Sequence, residues 1–296
     1  MNTEAWSDSY RGLDTWPGAD ILKAIVVRNQ HALTAVEQAL PALSSAALGI
    51  EHAIAAGGRL IYLGAGTSGR LALQDAAELP PTFGFDGALV LIAGGEQAGG
   101  SAQEGAEDDE LAAIQAIDRA GVSSRDAVVG IAASGTTPFT VAGLRRAREQ
   151  GAFTVGIANN PATPLLDAAE VGVLLDTGPE VLAGSTRLAA GTAQKVALNA
   201  LSTAVMVRLG GAYDNLMVGM RPSNAKLYRR AAEIVQAASG SAPAQAQQAL
   251  MEAGGNIREA IVMVATSASL AEAQAALARH HRRVREALAE LSVRQP

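Results

Sequence analysis

Between Arg59 and Leu175 the sequence alternates short apolar runs with helix-patterned segments, and this alternation restricts the fold more than any other feature. Five runs have the length of strands: Leu60–Leu63, Ala88–Ala93, Ala127–Ala132, Thr154–Ala158 and Val171–Leu175. Most are apolar almost throughout, as strands covered on both faces must be. The stretches Ser68–Leu79, Asp108–Ala120 and Thr140–Gln150 read as the helices between them. Strand and helix in alternation imply a parallel sheet, hence an α/β, doubly wound five-stranded domain. In such sheets ligands gather beyond the strand C-termini, where the winding direction changes.

Two turns fall at such ends. After the first strand comes Gly64-Ala65-Gly66-Thr67-Ser68-Gly69, leading into a helix that Pro80-Pro81 is expected to stop. Strand, glycine turn and helix aim backbone N–H groups at an anion. The Gly64-x-Gly66-x-x-Gly69 spacing also fits a dinucleotide fingerprint, and a plain tight turn remains a third reading. The acidic residue at the required distance, Asp86, sits in a loop rather than at a strand end. Hydroxyls on Thr67 and Ser68 suit a phosphomonoester better. After the third strand, Ser134-Gly135-Thr136-Thr137-Pro138 repeats the theme, with Pro138 suited to a first helical position and Thr137 to a cap. Alone it reads as an ordinary helix start; beside the first turn it points to a shared anion site.

Outside the sheet region, Asp20 begins a helical pattern carried by Ile21, Leu22, Ile25 and Val26. A second helix is expected over Ala32–Leu40 before Pro41, and a third over Ala42–Ala56. Three helices exceed what an α/β unit needs, and a partner subunit is one use for them. Further helices are expected over Arg187–Leu209 and Asn224–Ala238. Ser239-Gly240-Ser241-Ala242-Pro243 reads as a linker to a tail with helical patterns at Ala244–Ala253, Asn256–Thr266 and Leu270–Leu291.

Composition excludes several functions. No cysteine is present, so disulfides, thiolate metal sites and a cysteine nucleophile are out. A net charge of −6 without a long basic block argues against nucleic acid. No apolar run approaches the roughly 18 residues of a membrane span, and the opening MNTEAWSDSYRG lacks the pattern of a signal peptide. A cytoplasmic protein is the expectation.

Glu78 is read at the end of its helix, where the negative pole and a cleft would disfavour ionisation and make a proton donor. A solvated helix-end glutamate is the plain alternative. Glu104 to Glu110 forms the densest acidic cluster, which is favourable at a helix start in any case. Its functional reading makes Glu107 a carboxylate general base. No histidine or calcium-type loop accompanies it, so no metal is expected. His31, His52, His280 and His281 have no partner at a recognised spacing. Arg187, Lys195 and Lys226 are cations able to compensate a phosphate or to pair with surface acids.

Read together, LGAGTSGRLALQDAAELPPTFG, EGAEDD, VGIAASGTTP, TVGIANNP, GPEVLAGSTRLAAGTAQKVALNALST and NLMV resemble the N-acetylmuramic acid 6-phosphate etherase family, built on a sugar isomerase (SIS) domain. They run in family order from about residue 57 to 230; NIREAIVMV resembles the family's C-terminal helical module, and the opening, Thr3-Glu4 followed by Gly12-Leu13-Asp14, is a looser match. The resemblance implies an N-terminal helical extension over 1–56, a SIS sugar-phosphate domain over 57–238 and a helical module over 239–296. It implies a lyase of peptidoglycan recycling that converts N-acetylmuramate 6-phosphate into N-acetylglucosamine 6-phosphate and D-lactate, as a homodimer without cofactor or metal. By motif, Glu78 is the proton donor and Glu107 the second catalytic carboxylate, with Thr67, Ser68, Gly69, Ser134, Gly135, Thr136 and Thr137 as the phosphate handle. Where the family reads Ser-Gly-Arg-Thr-Pro, this chain has Thr136 in place of the arginine. The family is also similar to glucokinase regulatory protein, which makes a non-catalytic sugar-phosphate sensor the alternative, with a ketose–aldose isomerase behind it.

Overall fold

A computed structural model describes residues 2–100 and 105–293. By packing, the chain forms two units, Met1–Ala76 with Gly87–Thr203 and Ala77–Asp86 with Ala204–Pro296.

The first unit holds a five-stranded parallel sheet in the order β2-β1-β3-β4-β5, from β1 (Leu60–Gly64), β2 (Ala88–Ile92), β3 (Ala127–Ala132), β4 (Phe153–Ala158) and β5 (Val171–Leu174). Leu60 aligns with Ala88 on one side and with Ala127 on the other. The order reverses between β1 and β3, so the two turns singled out above flank the switch point. All residues of β1 and β3 are buried, which is why their sequences carry no polar alternation. On one face Ile61, Leu63 and Val128 pack with α4 (Glu110–Arg119), α5 (Pro138–Glu149) and α6 (Pro164–Ala168) through Ala113, Ile117, Leu144 and Leu165. On the other lies α2 (Leu40–Ala55), which contacts β3, β4 and β5.

Several boundaries differ from expectation. The two helices expected before Pro41 are one, α1 (Gly18–Gln38), because the polar run Arg28–His31 contains no breaker and Asn29 donates back to the Ile25 carbonyl at 2.8 Å. Pro41 lies in the first turn of α2, where its missing N–H costs nothing. The prolines do not stop α3 (Gly66–Phe83), which runs through Pro80 and Pro81. It ends at Gly84, at φ +66, whose N–H bonds to the Pro80 carbonyl at 2.9 Å. Each proline forfeits one N–H bond, yet the helix continues to Phe83, and the left-handed glycine marks the stop.

The second unit contains a short antiparallel pair, β6 (Ala212–Tyr213) and β7 (Leu216–Met217), and helices α8 (Ala225–Ser239), α9 (Pro243–Glu252), α10 (Ile257–Thr266), α11 (Leu270–Arg279) and α12 (Val284–Ser292) around Ile234, Leu250, Ile261 and Leu277. α7 (Ala189–Met206) precedes the pair. The Asn224–Ala238 helix, expected within the sugar-phosphate domain, packs with α9 and α10. The pattern over Leu270–Leu291 resolves into two helices because His281 and Arg282 adopt left-handed φ angles of 50° and 65°. Arg258 is buried and donates from Nε to the Gly210 carbonyl at 2.9 Å. Burial, then the charges of Arg282 and Arg221, lower its pKa to about 10. Among the described residues, no single helix is long and apolar enough to cross a membrane.

Candidate active site

A cleft of about 390 Å3 opens at the switch point of the first unit. Thr67 and Ser68, in the first turn of α3, line it together with Ser134 and Thr137 from the turn before α5. Both helices present N–H groups that have no intrahelical acceptor. Thr137 occupies the cap position but makes no side-chain cap bond; its Oγ1 lies 3.3 Å from Ser134 Oγ instead. Ser134 Oγ also accepts from the Thr136 N–H at 3.1 Å, which holds the turn closed around the hydroxyl.

Gly135 supports this turn without lining the cleft. Its φ is +72, and a Cβ there would stand 2.3 Å from Thr163 Oγ1, so no other residue fits unstrained. Gly69 is likewise a packing position, with Ile92 Cγ1 2.7 Å from where its Cβ would be. Thr136 is exposed and contributes its N–H to the loop.

Glu107 lines the cleft from a single helical turn, Ala106–Asp108, ahead of α4. Its Oε1 is 3.4 Å from the Cβ position at Gly66, which places a carboxylate over the first glycine of the α3 turn. Asp109 accepts from the Ala112 N–H at 2.8 Å and caps α4, so the neighbouring acid is structural. Glu104 lies outside the described residues. Glu78 is exposed, twelve residues along α3 from Gly66, and is not among the residues lining the cleft. It is followed by five more helical residues rather than ending the helix.

The sequence reading overlooked three cleft residues: Glu4, Arg70 and Thr186. Glu4 is held there because Thr3 is fully buried, its N–H donating to Asn160 Oδ1 at 3.2 Å while Asn160 Nδ2 donates to Thr3 Oγ1 and to the Ala133 carbonyl, both at 2.9 Å. The signal was the loose match of the opening, Thr3-Glu4 with Gly12-Leu13-Asp14. Arg70 Nε donates to the Ala98 carbonyl at 3.0 Å. Thr186 precedes α7, its carbonyl accepting from the Gly191 N–H at 2.8 Å, and Glu180, a buried carboxylate, accepts from the N–H groups of Ala189 and Ala190 at 3.0 and 2.8 Å and so caps α7. Arg187, Lys195 and Lys226 are exposed and do not line the cleft. Asp86, the acid required by the dinucleotide reading, pairs with Arg221 at 2.8 Å.

Beneath the cleft Asp75 accepts from Tyr62 Oη and Asn199 Nδ2, each at 2.6 Å, and from Ser202 Oγ at 3.1 Å. The network ties β1, α3 and α7 together under the anion-facing turns. Burial first, then the Asp75 charge, keeps the Tyr62 phenol well above its usual pKa, so it stays a donor.

Comparison with known proteins places the chain in a family. The model of the N-terminal SIS domain of glucokinase regulatory protein matches residues 44–148, the SIS domain model matches 110–204, and the C-terminal lid domain of glucokinase regulatory protein matches 214–259. The N-acetylmuramic acid 6-phosphate etherase of Deinococcus radiodurans is 49% identical over 264 residues, covering 88% of this chain and 87% of that protein. The chain belongs to the N-acetylmuramic acid 6-phosphate etherase family. The etherase of Histophilus somni is 45% identical over 254 residues, 85% of this chain and 84% of its own. Among solved structures, an E. coli protein in complex with A5P aligns with a TM-score of 0.49 and 18% identity over 68% of this chain and 97% of that one. Glu4, Arg70 and Glu107 thus stand around one cleft in an etherase-family chain.

Proposed function

We propose that this protein is an N-acetylmuramic acid 6-phosphate etherase, a carbon–oxygen lyase that releases D-lactate and leaves N-acetylglucosamine 6-phosphate for cell-wall sugar recycling. The observation that carries this reading is the 49% identity over 88% of the chain to a protein of that name. The cleft supports it with a carboxylate, Glu107, beside hydroxyl-bearing turns at two helix N-termini.

In the open-chain sugar the aldehyde at C1 acidifies the C2 proton, and Glu107 is the base that removes it. The C2 electron pair forms the C2–C3 double bond as the C3–O bond breaks. The departing lactate oxygen takes a proton from an acid, assigned to Glu78. Water then adds across the double bond, its oxygen at C3 and a proton at C2, giving the amino sugar phosphate. The phosphate is the handle, its remote binding energy positioning C2 and C3, with Thr67, Ser68, Ser134 and Thr137 as its hydroxyl donors and Gly69, Gly135 and Thr136 shaping their turns.

The protein works as a cytoplasmic homodimer in this reading. A stripe of exposed apolar side chains on α1, Leu22, Val26 and Leu33, supports the dimer, since these recur on one helix face and are more than half exposed among the described residues. The competing reading, a non-catalytic sugar-phosphate regulator, draws on the matches to glucokinase regulatory protein models. Incubation of the purified protein with N-acetylmuramate 6-phosphate decides between them. The etherase releases one D-lactate per sugar; binding without lactate release would leave the regulator.

A further inference from the structure

We propose that Arg70 is the specificity-determining residue for the lactyl carboxylate of the substrate, an inference that rests on the etherase reading. N-acetylmuramate 6-phosphate carries two anions, a phosphate on C6 and the carboxylate of the lactyl ether on C3. The cleft therefore needs two places for negative charge. The first is the pair of turns at the N-termini of α3 and α5, where Thr67, Ser68, Ser134 and Thr137 supply hydroxyls beside free backbone N–H groups. Such a cradle needs no cation, and the second turn carries Thr136 rather than a charged residue.

The second place follows from the charges that remain. Among the described residues lining the cleft, Arg70 is the one cation, and the two other charged residues, Glu4 and Glu107, are both carboxylates. A lactyl carboxylate beside those two acids would be repelled unless it met Arg70. The guanidinium is fixed for that role, since Nε donates to the Ala98 carbonyl at 3.0 Å and Ala98 itself lines the cleft. A planar fork anchored at Nε has a defined orientation and matches a carboxylate through its paired terminal nitrogens. Phosphate in the turns and carboxylate on Arg70 would grip the substrate at two points, C6 and the leaving group on C3. A sugar phosphate without the lactyl group would use one grip only.

The test compares two ligands that differ by the lactyl group. For full-length wild type, Arg70→Met and Arg70→Lys, KM is measured for N-acetylmuramate 6-phosphate and the inhibition constant for N-acetylglucosamine 6-phosphate, with calorimetry giving the dissociation constants of both. Arg70→Met is expected to weaken the muramate ligand about 10- to 100-fold, the worth of a charged hydrogen-bonded pair, and the glucosamine ligand less than about twofold. Arg70→Lys, which keeps the charge and loses the fork, falls between them. Equal weakening of both ligands would mean that Arg70 binds phosphate or merely braces the Glu96–Gly99 turn, and would overturn the proposal, as would an unchanged muramate affinity. If Arg70→Met does not fold, Arg70→Gln gives the same comparison. Failure of the etherase reading shows separately, as wild-type protein that binds the muramate ligand and releases no lactate.

Discussion

Asp126 joins the start of β1 to the turn before β3, and its ionisation is a measurable share of the stability of the first unit. Burial alone would raise its pKa, but hydrogen bonds from Arg59 and from the N–H groups of Ser123 and Arg59 outweigh that and hold it at about 2, against 3.8 unperturbed. A depressed carboxylate stabilises the folded state above its unfolded pKa and loses that contribution as pH falls towards the folded one. The shift corresponds to about 2 kcal/mol at neutral pH. Asp126→Asn should therefore lose about 2 kcal/mol in urea unfolding at pH 7, with the difference from wild type shrinking between about pH 4 and pH 2. At the cleft, Glu107→Gln removes the proposed base while leaving the hydroxyl turns intact. Its kcat for lactate release should fall at least about 100-fold with KM changed little. Glu107 was legible because an acidic helix start beside a glycine turn is a visible pattern. Arg70, Glu4 and Thr186 were not, since single residues of common types acquire meaning only when the sheet gathers distant turns.

Helix α3 shows which punctuation an element obeys. Its prolines sit in the final turns, while Gly84 takes the left-handed φ, and a Cβ there would stand 2.7 Å from the Gly219 carbonyl. Gly84→Ala should cost the second unit about 1–3 kcal/mol in thermal or urea unfolding, whereas Pro80→Ala should cost little or even stabilise. Equal effects of the two changes would return the stop signal to the prolines. The five strands were readable because central parallel strands are short, apolar and bounded by turns, and β3 spans Ala127–Ala132 as expected. Helix joints were less readable. Whether Arg28–His31 or His280–Arg283 interrupts a helix depends on backbone angles that polarity does not encode, and only the second does.

At the scale of the whole molecule, the two proposed glutamates pose a question of assembly. Glu107 lines the cleft, while Glu78 is exposed twelve residues along α3 from Gly66, about 18 Å at the rise of an α-helix. Proton donor and base must reach neighbouring substrate atoms, and a Glu78 supplied by a second copy is one arrangement that brings the two together. Two inactive variants can test this directly. If each site of a homodimer takes Glu78 from one chain and Glu107 from the other, a Glu78→Gln/Glu107→Gln heterodimer has one site with both residues intact and one with neither. Random reassortment of equal amounts makes half the dimers mixed, so the mixture should recover about a quarter of wild-type lactate release. If both glutamates act within one chain, every site in the mixed dimer lacks one of them and the mixture stays inactive. Recovery must also require subunit exchange: variants mixed after covalent cross-linking of their dimers should show none, which separates a shared site from simple contamination by active protein.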